Sequence, residues 1–166
     1  MKRPLIITAL VLAFLGIFLY NAFDEVTPEE IENAPDWLSI EEAMIKAEED
    51  GRLVIIDIFE VGCQFCRAMN RDVYPAPSTR AVIDRDFHPV KINGNSEETV
   101  TFQGVEMTQQ EFANSLGLTA FPFTVIMDHN GTVIDSRRGY MGVQDLTQFM
   151  RNARDKASGL SDNSSG

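Results

Sequence analysis

The stretch VIIDIFEVGCQFCRAM, residues 54–69, holds the only two cysteines of the chain, three positions apart and directly after an apolar run. The run, RLVIIDIF, is short and rich in β-branched residues, which reads as a buried strand. The cysteines open a helix that continues through RAMNRDV and is broken by Pro75 and Pro77. A Cys-x-x-Cys at a strand-to-helix junction puts Cys63 at the helix N-terminus. There, unpaired backbone N–H groups and the helix dipole favour a thiolate, the attacking species in disulfide exchange. Cys66, one turn later, faces Cys63 and can close an intramolecular disulfide, releasing a partner from a mixed disulfide. Two blander readings stand beside this one. A structural disulfide is one, although so short a loop gains little entropic stabilisation. A zinc clip is the other, but it needs four ligands, and His88 and His129 are both remote from the motif in sequence.

Further positions agree with redox chemistry. Asp57 lies six residues before Cys63, among Ile55, Ile56 and Ile58. A carboxyl in that setting is costly to ionise, so its pKa is expected to rise, and it can exchange the proton that Cys66 must lose or gain. Lys91, in PVKIN, is an unusual cation within a strand and a partner for that acid; an edge-strand lysine that discourages aggregation is the alternative. Glu60 is a second candidate for the proton relay. Pro122 stands just before a strand, where a cis-proline turn presents backbone to a bound peptide. Gly139 follows the last strand, where a small residue allows close chain packing.

Outward from the motif, the pattern gives one α/β domain. Ser39 and Glu42 form a capping box for the helix IEEAMIKAEED, which Gly51 closes. AVIDRDF reads as a short helix or turn and HPVKIN as a second strand. EETVTFQGVEMT reads as an inserted hairpin around Gly104, and QQEFANSLG as a helix capped by Thr108. FTVIMD and TVIDSRRG are strands joined at Asn130-Gly131, and VQDLTQFMRNARDK is a final amphipathic helix. The order implies a central mixed sheet covered by helices.

Lys2 and Arg3 precede an uncharged stretch over residues 4–23, and Asp24 and Glu25 follow at once. About 20 apolar residues suffice for one membrane-spanning helix, and the charge order places the N-terminus in the cytoplasm and the remainder outside. An uncleaved anchor is favoured over a signal peptide, because Tyr20 stands where cleavage prefers a small residue. The expected organisation is therefore an anchor over residues 1–23, an acidic linker over 24–35, a folded domain over 36–156 and a disordered tail over 157–166. Localisation follows: a single-pass protein of the inner membrane with its domain in the periplasm, or a periplasmic protein if the segment is cleaved. A formal charge of −11 over 166 residues offers no basic footprint for nucleic acid. No metal and no cofactor beyond a redox-active Cys63–Cys66 disulfide is expected.

The Asp57 strand, CQFC, Lys91, the Phe121-Pro122 pair and the GYMGVQDLTQFM end with Gly139 together resemble the thioredoxin fold. The likeness is strongest to the membrane-anchored or periplasmic thioredoxin-like, SoxW-like group of thiol–disulfide oxidoreductases. It implies attack by Cys63, resolution by Cys66, assistance from Asp57, and a cis Pro122 facing the disulfide. Phe121, Pro122, Gln64 and Phe65 would then meet the substrate. Gly62 replaces the tryptophan that ordinary thioredoxin carries before its first cysteine, and Gln64-Phe65 replaces Gly-Pro between the two. The resemblance favours a monomeric reductase of protein disulfides, fed with electrons by a DsbD-like membrane partner. An oxidase or isomerase is the alternative activity. A non-enzymatic client-binding scaffold, built on the Phe121 region and the hairpin insertion, is the alternative of another kind.

Overall fold

The structure is a computed structural model that describes residues 11–16 and 31–163, with side chains through residue 159. The chain divides into two compact units, residues 1–30 and 31–166. In the first, residues 11–16 are helical and expose Val11, Leu12, Phe14 and Leu15. The rest of the expected anchor and linker residues 24–30 lie outside the described residues. Among the described residues no helix is long and apolar enough to cross a membrane.

The second unit opens with α1 (Ile40–Asp50), whose capping box at Ser39 and Glu42 and left-handed terminus at Gly51 form as the sequence predicts. Strand β1 (Leu53–Phe59) leads into α2 (Gln64–Ala68), a π-helical turn (Met69–Val73) and α3 (Pro77–Asp86). Two expectations are corrected in this stretch. The helix after the cysteines widens into π geometry at Met69 instead of running regularly to Val73. Pro77 starts a helix, and AVIDRD lies in that ten-residue α3 while Phe87 already begins the next strand; proline suits this position because a first-turn N–H has no helical partner to lose. Then follow β2 (Phe87–Asn93), the hairpin β3 (Thr99–Phe102) and β4 (Val105–Thr108), α4 (Gln109–Ser115), β5 (Phe123–Met127), β6 (Val133–Arg138) and α5 (Val143–Asn163). Helix α4 carries its own capping box at Thr108 and Glu111.

The main sheet has the order β2-β1-β5-β6. β1 runs parallel to β2 and antiparallel to β5, and β5 is antiparallel to β6. The parallel pair needs a long crossover, and α2, the π turn and α3 supply it. Side chains alternate between the faces of β1. Val54, Ile56 and Ile58 join a cluster with α1 and α4 through Ala43, Ala47 and Phe112. Leu53 and Ile55 join the opposite cluster with Met69, Val73, Tyr74, Ile83, Leu146 and Phe149. Asp57 belongs by alternation to this second face, which the π turn after the cysteines and Tyr74 cover.

Both ends of the domain differ from expectation. Part of the linker is docked: Asn33 Nδ2 donates to the Pro75 carbonyl, and Arg80 Nη1 donates to the Ala34 carbonyl. Helix α5 continues past Lys156 to Asn163, into the segment expected to be a tail.

Gly139 also has a different reason from close packing. A β-carbon there would meet nothing within 4 Å, but its φ is +88°, and its N–H donates to the Pro122 carbonyl at 2.7 Å. The requirement is conformational. Gly139→Ala should lower unfolding stability by roughly 1–2 kcal/mol, the cost of forcing an L-residue to positive φ. Chemical denaturation measures it, and an unchanged midpoint would return the glycine to a spacing role.

Candidate active site

Cys63 and Cys66 are joined in a disulfide with Cα atoms 5.3 Å apart. Cys63 caps α2, and its Sγ accepts from the Cys66 backbone N–H at 3.1 Å. It is partly exposed, whereas Cys66 is 4% exposed. That asymmetry suits their separate tasks: an attacking sulfur must be reached by a partner, and a resolving sulfur must reach only its neighbour.

The surface around the pair is apolar. Val61 is 84% exposed, Phe65 61% and Tyr140 49%, and the Phe65 and Tyr140 rings lie 6.1 Å apart. Gln64 is exposed beside them. Tyr140 escaped the sequence reading, because nothing local ties the start of the last helix to the cysteine loop. The Phe121-Pro122 peptide is cis. The Phe121 ring packs against Leu118 and Gly94 in the edge of the α1–α4 core. It approaches the place of a Gly94 β-carbon to 2.7 Å, so this glycine is required by space.

Beneath the motif, Asp57 is 1% exposed. Its register partners are Lys91 on β2 and Thr124 on β5. Burial pushes its carboxyl up to about 6, while the Lys91 charge and the Tyr74 hydroxyl pull the other way. Lys91 is half-buried: burial lowers its pKa and the Asp57 carboxylate raises it. Its ammonium donates to Asn70 Oδ1 and sits 5.1 Å from the ring centres of both Trp37 and Phe59. Lys91 is thus on an edge strand, as one reading had it, yet it is also turned toward the acid. Glu60 takes a different place: its carboxylate accepts from Asn95 Nδ2 at 2.9 Å on the exposed side of the loop.

The histidines lie at the other end of the sheet. His88 pairs with Val54 near the start of β1. Its Nε2 is 3.1 Å from Asp50, and its Nδ1 is 3.3 Å from Arg52 Nη2. Burial raises the Asp50 pKa, but the Arg52 backbone N–H and the His88 and Arg52 side chains hold it at about 2. His129 is in the β5–β6 turn, at the same far end.

The thioredoxin-like domain family matches residues 40–154. This chain belongs to that family. Its cysteine pair and domain are those of a thiol–disulfide oxidoreductase. No curated protein sequence matches the chain. Among solved structures, an oxidoreductase named DsbH is similar at TM-score 0.60 and 16% identity, over 82% of this chain and 97% of that one. A disulphide-isomerase described as putative, from Bacteroides thetaiotaomicron, is similar at TM-score 0.57 and 19% identity, covering 74% and 94%. The oxidised C-terminal domain of Neisseria meningitidis DsbD is similar at TM-score 0.54 and 16% identity, covering 69% and 91%. At these identities the likeness is one of fold.

Two outcomes are expected. Cys66→Ser should accumulate mixed disulfides with protein partners, visible on non-reducing gels, and Cys63→Ser should form none. Asp57 binds its proton more tightly in the folded protein than at its ordinary 3.8. Its stabilising contribution is therefore fully present below about pH 3.8 and is lost as pH rises through about 6. Relative to the parent, Asp57→Asn should gain about 3 kcal/mol of unfolding stability between about pH 3 and pH 8; parallel stability–pH curves would show that Asp57 does not titrate in this range.

Proposed function

We propose that this protein reduces protein disulfides in the periplasm, held at the inner membrane by the segment over residues 4–23. One observation supports exchange chemistry at this pair: a buried acid, its carboxyl pushed up to about 6, lies on the strand that leads into the cysteine loop, and the reducing direction is part of the proposal. An acid poised near neutral pH is suited to accept a proton from a thiol and later release it.

The Cys63 thiolate attacks a client disulfide, forming a Cys63–client bond, and the first client sulfur leaves as a thiolate. Cys66 gives its proton to Asp57 and attacks Cys63 Sγ. The Cys63–client bond breaks, the second client thiolate leaves, and two electrons have passed from the dithiol to the client. The apolar rim of Val61, Phe65 and Tyr140 suits an unfolded or extended client segment, and exposed Gln64 offers a polar contact; Pro122 is buried with its carbonyl taken by the Gly139 N–H, so it would shape the site instead of binding the client through its own backbone. The activity needs no cofactor beyond the disulfide, and a monomer suffices.

The lysine-arginine start, the uncharged stretch and the acids after it support the anchored, periplasm-facing arrangement. A reductase in an oxidising compartment must be recharged. A membrane electron donor of the DsbD kind is the chemistry that fits.

The reduction potential of the full chain in detergent, equilibrated against thiol–disulfide buffers, tests the direction. A value near about −270 mV is expected, and one near about −120 mV would make the protein an oxidant. If no reversible couple appears, the client-binding scaffold becomes the better reading.

A further inference from the structure

Four oxygens buried in one place lack a hydrogen-bond partner of good geometry: both carboxylate oxygens of Asp57, the hydroxyl of Tyr74 and the hydroxyl of Thr124. Native interiors leave few such groups, and each calls for a reason. The three residues come from separate elements. Asp57 is on β1, Thr124 is its register partner on β5, and Tyr74 follows the π-helical turn after the cysteines. Asp57, Tyr74 and Thr124 are 1%, 0% and 0% exposed.

Lys91 supplies a positive field, but its ammonium is engaged by Asn70 and the Trp37 and Phe59 rings. The β1 backbone is used in the ladders to β2 and β5. Beside the Lys91 charge, the uncharged donors at hand for an ionised Asp57 carboxylate include the Tyr74 hydroxyl, with Thr124 next to it. The Tyr74 hydroxyl is near enough to Asp57 to lower its proton affinity, and Thr124 is near enough to Tyr74 to favour phenol ionisation, which burial and the Asp57 charge oppose more strongly. Tyr74 is held in place by the edge of Trp37, ring centres 5.1 Å apart.

We propose that Tyr74, backed by Thr124, is a positioning residue for proton transfer at the disulfide, donating its hydroxyl hydrogen to Asp57 whenever that acid is ionised. When Asp57 is ionised, Tyr74 donates to the carboxylate and Thr124 donates to the phenol oxygen. When Asp57 has taken the Cys66 proton, the carboxyl donates to the phenol oxygen and Tyr74 turns its hydrogen to Thr124. Only hydroxyl hydrogens turn, and no proton leaves Tyr74. A buried carboxyl thereby keeps a partner in both protonation states, and its pKa stays near neutral instead of climbing further. The inference rests on the disulfide-exchange reading and adds a residue to it.

The other titratable or charged groups on this face are Lys91 from β2 and Cys66 from α2, with exposed Arg137 on β6 opposite Thr124. Lys91 and Cys66 are unchanged in the test. Trp37 is the only tryptophan, and it touches both Tyr74 and Lys91. Its fluorescence in the disulfide form of the full chain can follow Asp57 with no thiol titrating. The parent should show an inflection near pH 6 that Asp57→Asn abolishes. Tyr74→Phe, which keeps the ring against Trp37, should move it up by roughly one pH unit, the worth of one hydrogen bond to a charged group. Thr124→Val should move it in the same direction by less, and stands in if Tyr74→Phe does not fold. The pH profile of reduction of a small-molecule disulfide by the dithiol form should shift in parallel.

An inflection in Tyr74→Phe that coincides with the parent's would overturn the inference while leaving the exchange reading intact. The same holds for an inflection that survives in Asp57→Asn or is absent from the parent. Failure of the parent dithiol to reduce the small disulfide at any pH would instead overturn the exchange reading itself.

Discussion

A carboxylate buried in the middle of the central strand is the constraint around which this domain is arranged. Asp57 sits between Lys91 and Thr124 in the ladders on either side. An isolated buried charge is costly enough that the group either finds partners or gives up its charge. Here it does some of each. The proton is held up to about 6, a lysine is brought half under the surface, and the buried hydroxyls of Tyr74 and Thr124 are, like the carboxyl, without a well-formed hydrogen bond. Lys91 in turn explains why Trp37 and Asn70 stand where they do. One supplies a ring face and the other an amide oxygen for a cation that has lost part of its water.

The disulfide is set by the same strand. β1 ends at Phe59, and a short loop carries the chain back over the sheet so that Cys63 caps α2 and Cys66 turns inward. Sheet alternation puts Asp57 on the face that the π turn covers. The outward sulfur is framed by exposed Val61, Phe65 and Tyr140. Such side chains gain nothing in stability from standing in water, and their grouping beside the disulfide makes an exposed apolar patch there.

Much of this was legible in the linear order of residues. Ser39 with Glu42 and Thr108 with Glu111 are self-contained signals, because a capping box is completed within four residues. The apolar run before the cysteines announced a buried strand, and an aspartate inside it announced a perturbed acid. Other features gave weaker signals. The π-helical turn leaves no mark in the sequence, and Pro77, which by its type alone signals the end of one helix, begins another. A glycine after the last strand suggests close packing, but the surroundings of Gly139 are open and its backbone angle is what demands glycine. Glu60, close to the cysteines in sequence, is taken up by Asn95.

By itself, the sequence determined the redox pair, its strand-to-helix setting and the presence of a buried acid, since each depends on residues within one turn or one strand. Tertiary structure alone decided which groups meet that acid. Periodicity tells which face a side chain takes, but not which distant strand lies alongside or in what register. Register brought Lys91 and Thr124 to Asp57, and the crossover from β1 to β2 brought Tyr74 beside them. These contacts span long loops whose closure is governed by the whole packed core.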